Sequence, residues 1–236
     1  EHGNASDREV ARGETGMVLF KSPNVFSGFV DPADNAKAFT ADGWLATGDL
    51  GWIDSEERLN LTGRSKDLII RSGHNIDPKV IEDALSAHPA VQVCAAVGAP
   101  DAYAGELPVV FATLVPGGAA TEDELLAFTA ARVDEAPAKP KWVALVDALP
   151  MTNVGKIYKP ELRAMAASRV VAATVAELCA ELGLPEAARP SVTHEGESLV
   201  RVTIDSAAAG AQSAALSERL QKALEPLPFK TRVATA

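Results

Sequence analysis

The spacing of apolar and polar positions changes along the chain and divides it into segments of different texture. Residues 13–63 contain short apolar stretches separated by Gly, Asp and Ser, which is typical of short strands and turns. We predict strands over 17–20 and 25–30, a short helix over 33–39 and a hairpin that turns at 54–58. This β-rich segment is too small to form a core alone.

From residue 67 onward, strand-like and helix-like patterns alternate. The predicted elements are a strand over 68–70, a helix opened by Pro78, an alternating strand over 91–97, a continuously apolar strand over 109–115 and a helix capped by Thr121. This alternation predicts a small α+β domain over 67–165.

Residues 166–236 show a further pattern. A helix after Arg163 ends at Gly183, and a strand and an amphipathic helix follow before a strand-like end. The strand has alternating apolar positions and the helix has them at helical spacing: Val200, Val202, Ile204, Leu216, Leu220 and Leu224. We predict an appended helix-strand-helix-strand unit that packs on the α+β domain or forms a subunit contact, without recognisable chemistry of its own.

The composition is that of a globular protein, and its charge argues against some partners. The 236 residues are 47% hydrophobic, and the net charge of −10 disfavours nucleic acid and anionic membranes, which bind clustered Lys and Arg. Cys94 and Cys179 lie in apolar sequence without metal or redox spacing, which predicts buried free thiols. No stretch reaches about 18 apolar residues, and residues 1–12 are polar rather than signal-like, so we expect a cytoplasmic protein.

The first candidate site is Asp49, in the run GWLATGDLG at residues 43–51. Its flanking glycines allow a ligand or the backbone to approach closely. An ionised carboxylate can accept hydrogen bonds from the neighbouring hydroxyls of a ribose. A turn in which Asp49 bonds its own backbone is the alternative, and from this run alone it is favoured.

The second candidate is the charged segment at residues 63–76, GRSKDLIIRSGHNI, which lies where the sequence texture changes. Such a position suits a hinge, but from the spacing alone a solvated linker with Gly73 as a turn residue is favoured. The third candidate is Lys156, in the run LPMTNVGKIYK at residues 149–159. Its ammonium could stabilise charge that develops on a phosphate, whereas an ordinary surface lysine is the alternative.

Together, the order and spacing of these runs over residues 13 to about 163 resemble the adenylate-forming enzymes, which include acyl-CoA synthetases, peptide-synthetase adenylation domains and luciferases. The resemblance implies an α+β fold: residues 1–63 as the β-rich end of a large N-terminal domain, 64–66 as a hinge, 67–165 as a mobile C-terminal domain and 166–236 as an appended α/β unit. It also implies that a carboxylate reacts with ATP and Mg2+ to give an acyl-adenylate, which is then passed to a thiol.

The resemblance implies a role for each candidate residue. Asp49 would hold the ribose hydroxyls, Arg64 would reach the ribose or phosphate, and Lys66 would be the hinge. Ser72, Gly73 and His74 would line the passage for the pantetheine arm of CoA, and Lys156 would serve adenylation only. No metal ligand is implied. The string KDLIIRSGHNI at residues 66–76 is more similar to fatty-acyl or other acyl-CoA ligases than to peptide-synthetase domains, so CoA is the expected acceptor. A fatty acid is the expected substrate.

Some features depart from the family pattern. Glu56, Glu57 and Arg58 stand where the family more often has an Asp-Gly turn, and Asn153 and Val154 stand in a loop where small residues or Pro are usual. No Gly-, Ser- and Thr-rich phosphate loop ending in Lys is present. We therefore expect a preceding N-terminal domain to be missing and the isolated chain to be inactive.

Two alternatives remain open from the sequence. One is an adenylation domain that loads a carrier protein, which acyl transfer to the carrier rather than to CoA would distinguish. The other is a separate, non-catalytic binding or regulatory module with the same fold. The expected partners are a small carboxylate, ATP, CoA and the preceding domain, and a homo-oligomer is left open.

Overall fold

The structure is a computed structural model that describes residues 8–235. The chain divides into two compact units, one up to Leu68 and one from Ile69. The predicted α+β class is confirmed, because each unit combines sheet and helix. None of the helices within residues 8–235 is both long and apolar enough to span a bilayer.

The first unit is a small antiparallel sheet. Its elements are β1 (Gly16–Phe20), α1 (Pro32–Ala38), β2 (Leu45–Ile53) and β3 (Leu59–Arg64), with the strands in the order β1-β2-β3 and a 3-10 turn over Ser65–Asp67. The strand predicted over 25–30 is wrong. Asn35 Oδ1 accepts the N–H of Phe29 at 2.6 Å, and Asn35 Nδ2 donates to the carbonyl of Phe29 at 3.1 Å. This segment therefore bonds to a helix side chain instead of to a strand.

The predicted hairpin through residues 54–58 joins β2 to β3. Asp54 holds the turn, since its Oδ1 accepts the backbone N–H groups of Glu56 and Arg58, each at 2.9 Å. Glu57 has a φ of 64°, a left-handed conformation that glycine adopts with least strain. The turn therefore has a glycine-like backbone geometry at a position that Glu57 occupies.

The second unit begins with a mixed sheet and two helices. Its elements are β4 (Ile69–Arg71), β5 (His74–Ile76), α2 (Pro78–Ser86), β6 (Val91–Asp101), β7 (Gly105–Leu114), α3 (Glu122–Ala130) and β8 (Val143–Leu145). The strand order is β5-β4-β7-β6, and β8 pairs in parallel with β7 at residues 110–112. Asp77 caps α2 and Thr121 caps α3, the latter in a reciprocal capping box with Glu124.

The β6–β7 hairpin is buried on both of its faces. Ala96 and Val110 belong to the core beneath α2 and α3, whereas Val97 and Val109 belong to a core on the opposite face. The continuously apolar strand predicted over 109–115 is thereby explained. The alternation predicted for 91–97 is only partial, because residues 94–97 are buried whichever face they point to.

The remaining elements form the appended part. They are α4 (Lys159–Glu181), β9 (Ser191–Glu195), β10 (Leu199–Ile204), α5 (Ser206–Ala209), α6 (Ser213–Leu224) and β11 (Lys230–Thr235). β10 is the central strand, antiparallel to β9 and parallel to β11. The sequence did not predict β9, whose residues are mostly polar and exposed. The boundary predicted between residues 165 and 166 falls inside α4, which continues through it.

The apolar stripe of α6 is buried within this part of the chain. Leu216, Leu220 and Leu224 are buried in one core with Val171 and Val175 of α4. The packing therefore supports the prediction that residues 166–236 pack against the rest of this unit. The apolar stripe of α6 is buried and is not available as a subunit contact. Cys94 and Cys179 are buried free thiols, as predicted, and burial raises the pKa of each.

The cap of α2 generates a prediction. Asp77 accepts the N–H of Lys79 at 2.9 Å, while burial, with a further contribution from nearby Glu82, raises the pKa of Asp77 above its ordinary value. Asp77→Ala is expected to destabilise the unit by about 1 kcal/mol because the cap is lost. Asp77→Asn keeps an acceptor and removes the charge, so it should be neutral or stabilising at pH 7, measured by urea unfolding.

The same pair of variants has a pH dependence of known sign. Because the pKa of Asp77 is raised on folding, the folded protein binds this proton more tightly than the unfolded chain does. The wild type should therefore gain stability relative to Asp77→Asn as the pH falls from neutral through the raised pKa towards the ordinary one. Equal losses in Asp77→Asn and Asp77→Ala at pH 7 would contradict this explanation.

Candidate functional site

Asp49 and Arg64 form a cross-strand pair in the first unit. They are register partners in β2 and β3, and Arg64 Nε lies 3.0 Å from Asp49 Oδ1. Arg64 also donates to the carbonyl of Thr47 at 2.9 Å. Gly48 has a φ of 76°, and a Cβ there would lie 3.3 Å from the guanidinium, so a side chain at this position would crowd Arg64.

The chemistry of this pair is open to solvent. The Asp49 side chain is 39% exposed and that of Arg64 is 50% exposed. An ion pair this exposed contributes about 0–1 kcal/mol, so a ligand could replace it at small cost. The carboxylate can accept hydroxyl hydrogens and the guanidinium can bind an oxyanion, which are the functions that a ribose and a phosphate require.

Lys66 is exposed in the 3-10 turn over Ser65–Asp67. The division between the two units follows directly after this turn, at Leu68 and Ile69. The predicted hinge over 64–66 thus spans the end of β3 and the start of the turn. This position in the chain is compatible with a hinge, whose motion remains a prediction.

The second candidate group is a tight turn between β4 and β5. Arg71 and His74 are register partners, and the residues between them, Ser72 and Gly73, have φ values of 48° and 84°. Positive φ at both central positions is the type I′ hairpin turn, which favours glycine. No atom lies within 4 Å of a Cβ built at Gly73, so the backbone conformation alone explains a glycine here, and the space beside it is empty.

Side chains and backbone of the neighbouring strands hold this turn. Ser72 donates its N–H to the carbonyl of Ala104 at 2.8 Å, at the start of β7. The Glu106 carboxylate accepts the N–H of Ile70 at 2.8 Å and packs over Gly98, where a Cβ would lie 2.5 Å from it. The turn carrying Ser72, Gly73 and His74 is therefore fixed to one end of the β6–β7 hairpin.

Lys156 lies in a small hairpin that precedes α4. Met151 and Ile157 form an isolated bridge, and Thr152 donates its N–H to the carbonyl of Lys156 at 2.7 Å. Thr152 Oγ1 accepts the N–H of Lys156 at 3.0 Å, and Gly155 has a φ of 75°. The side chain of Lys156 is exposed. A firmly bonded backbone thus presents a solvated ammonium.

A largely buried ion pair involves Lys159, the first residue of α4. Lys159 Nζ is 2.7 Å from Glu82 Oε1, and their side chains are only 19% and 23% exposed. The same Glu82 oxygen accepts the N–H of Ala96 at 2.9 Å on β6. Sequence reasoning missed both members of the pair, although Glu82 stands beside Ile81 on the buried side of α2, where a carboxylate needs a partner.

The structure thus brings some predicted residues together and leaves others separate. Asp49 contacts Arg64, whereas Ser72, Gly73 and His74 share one turn of the second unit and Lys156 lies in another loop of that unit. Within residues 8–235, no group of at least three His, Cys, Asp or Glu side chains is placed to hold a metal ion.

Residues 80–156 match the family model of the AMP-binding enzyme C-terminal domain. This match ends at Lys156 and includes most of α2, the β6–β7 hairpin, α3 and β8. The chain therefore carries the C-terminal domain of an adenylate-forming enzyme. This match confirms the resemblance to the C-terminal portion of adenylate-forming enzymes that the sequence implied.

Curated relatives agree with this assignment. The marinolic acid–CoA ligase of Pseudoalteromonas sp. is 40% identical over 217 residues, which is 92% of this chain and 33% of that protein. The long-chain-fatty-acid–CoA ligase of Bacillus subtilis is 40% identical over 150 residues, 63% of this chain and 26% of that protein. The chain thus spans about a third or less of these relatives, and the first match extends well into residues 166–236.

Solved structures show the same fold. ATP-bound MatB from Rhodopseudomonas palustris has a TM-score of 0.66 at 33% identity, covering 71% of this chain and 34% of that one. The o-succinylbenzoate CoA synthetase MenE of Bacillus subtilis, in complex with its acyl-adenylate intermediate, has a TM-score of 0.61 at 32% identity. That match covers 69% of this chain and 33% of MenE.

Proposed function

We propose that this chain is part of an ATP-dependent carboxylate–CoA ligase that forms an acyl-adenylate and then an acyl-CoA thioester. The observation that carries the proposal is the exposed Lys156 hairpin at the end of the region that matches the AMP-binding C-terminal domain. The CoA-ligase names of the relatives support the choice of thiol. The catalytic cycle also requires the residues of the relatives that this chain does not span.

In the first half-reaction, a carboxylate oxygen of the acid attacks the α-phosphate of ATP, and the bond to pyrophosphate breaks. Mg2+ accompanies ATP as part of the substrate. Lys156 is proposed to neutralise negative charge as the acid approaches the phosphate, which a solvated, mobile ammonium can do. Asp49 would accept the ribose hydroxyls, and Arg64, once released from Asp49, would bind the ribose or a phosphate oxygen.

In the second half-reaction, the thiolate sulfur of CoA attacks the acyl carbonyl, and AMP leaves with the shared electron pair. The turn carrying Ser72, Gly73 and His74 is proposed to line the passage for the pantetheine arm. Rotation of the second unit about Lys66 would exchange the Lys156 hairpin for this turn at the reacting acyl group. The support for this assignment is the resemblance of residues 66–76 to acyl-CoA ligases, together with the open surface beside Gly73, which leaves room for a ligand.

A fatty acid is the proposed carboxylate. The support is the 40% identity to a long-chain-fatty-acid–CoA ligase. MatB and MenE match the fold of this chain at lower identity. A panel of fatty, dicarboxylic and aromatic acids on the unmodified ligase would assign the substrate class directly.

The role of Lys156 can be tested on the ligase that contains this chain. Lys156→Ala is expected to slow adenylate formation by about 100- to 1,000-fold, because it removes charge stabilisation from the transition state. Thioester formation from supplied acyl-adenylate and CoA should be unchanged. The readouts are pyrophosphate release and acyl-CoA appearance, each in single turnover.

The matched control is Lys141→Ala, which removes another exposed lysine of the same unit. Equal rates for Lys156→Ala and the control would mean that Lys156 is an ordinary surface lysine.

The isolated chain is expected to release no pyrophosphate from ATP and an acid. Appreciable pyrophosphate release by the isolated chain would contradict the proposal that catalysis requires the region of the relatives that this chain does not span.

The role of Gly73 must be separated from its role in the turn. Gly73→Ala and Gly73→Leu impose a similar backbone strain, since both add a Cβ at a φ of 84°. They differ in how far they fill the empty space. We expect thioester formation to fall much further in Gly73→Leu than in Gly73→Ala, with adenylate formation nearly equal in the two, whereas equal thioester rates would indicate that Gly73 serves only the turn.

A further inference from the structure

The appended part of the chain and the Lys156 hairpin share a single helix. Near its start, α4 buries Leu162 and Ala166 against the β6–β7 hairpin. Further along, the same helix buries Val171 and Val175 against β10 and α6. Since α4 runs unbroken from Lys159 to Glu181, the appended part has a fixed position relative to the residues that follow Lys156.

The turn between β9 and β10 returns to the start of this helix. Tyr158, the residue before α4, donates its hydroxyl hydrogen to the Glu197 carboxylate in that turn. Tyr158 also donates its backbone N–H to the carbonyl of Pro150 at 2.8 Å, which helps to close the Lys156 hairpin. Glu197 therefore contacts the residue whose backbone completes the loop that carries Lys156.

The turn that presents Glu197 is itself held in place. β9 and β10 pair in register from Ser191 to Glu195, and Arg201 forms an ion pair with Glu195 across the hairpin. The next residue after Tyr158, Lys159, is paired with Glu82 of α2. The segment after Lys156 is thus held by two contacts. Lys159 binds Glu82 of α2, and Tyr158 binds Glu197 of the appended part.

We infer that Glu197 is a positioning residue for adenylation, which acts through Tyr158 to hold the Lys156 hairpin in its reactive geometry. The inference rests on the proposed function of Lys156 and assigns a task to residues 166–236. It concerns the first half-reaction alone, because the turn carrying Gly73 is fixed through β4 and β7 and has no contact with Glu197 among those described. Neither Tyr158 nor Glu197 would touch substrate.

The test uses single-turnover assays of both half-reactions on the ligase that contains this chain. Tyr158→Phe removes the donor and Glu197→Ala removes the acceptor, so each should slow adenylate formation by about two- to tenfold, the range expected for one net hydrogen bond. Thioester formation from supplied adenylate should not change. Glu197→Gln keeps an acceptor oxygen and should retain most of the adenylation rate.

A double-variant cycle and a direct structural readout complete the test. The pair Tyr158→Phe with Glu197→Ala should be no slower than the slower single variant, because both remove the same contact. Amide hydrogen exchange at Lys156 and Tyr158 should quicken in each single variant. Glu186→Ala, which removes an exposed carboxylate elsewhere in the appended part, is the control and should change neither rate.

The outcomes separate this inference from the proposed function. If Lys156→Ala slows adenylation as expected while the Tyr158 and Glu197 variants leave it unchanged, the positioning role of Glu197 is wrong and the role of Lys156 stands. If the variants slow both half-reactions equally, Glu197 is a general stability residue and the inference also fails. If Lys156→Ala has no effect, the proposed role of Lys156 fails, and the inference about Glu197 fails with it.

Discussion

Burial of the β6–β7 hairpin on both faces is the constraint on which the second unit depends. One face carries the core beneath α2 and α3, and the other carries the core beneath α4. A strand pair without a solvent face must be apolar nearly throughout, and it must receive a helix on each side. The loops proposed to act in the two half-reactions are attached to this hairpin by separate contacts, so its packing fixes both.

Two carboxylates, those of Glu106 and Glu82, connect the packed strands to the loops proposed to act in catalysis. Glu106 accepts the N–H of Ile70 and so fixes the strand before the Gly73 turn. Glu82 accepts the N–H of Ala96 and the ammonium of Lys159, and so fixes the segment after Lys156. Each carboxylate accepts a backbone N–H and positions a loop at the same time.

Much of the fold could be predicted from local patterns, and the remainder depends on contacts between distant residues. Pro78 marked the start of α2 and Thr121 capped α3, because each signal acts within one helical turn. The strand predicted over 25–30 was wrong, since Asn35 took the polar groups of Phe29. β9 escaped prediction because a polar edge strand has no apolar alternation to reveal it.

The candidate site shows the same division. The runs around Asp49, Gly73 and Lys156 were recognisable from sequence, whereas the pairing of Asp49 with Arg64 required the register of β2 and β3. The type I′ turn gives Gly73 a structural reason that spacing alone could suggest but not establish. The contact between Tyr158 and Glu197 joins residues 39 positions apart and has no local signal.

The second unit thus carries two loops held by these contacts, and each loop is proposed to serve a different half-reaction. The decisive measurement is the distance between spin labels at Ala41→Cys in the first unit and Ala172→Cys in the second, both exposed, in the full ligase. The native thiols of Cys94 and Cys179 are buried and should remain unlabelled. We predict one distance with ATP and a different one with acyl-adenylate and CoA, whereas a single unchanged distance in both states would contradict the exchange of loops.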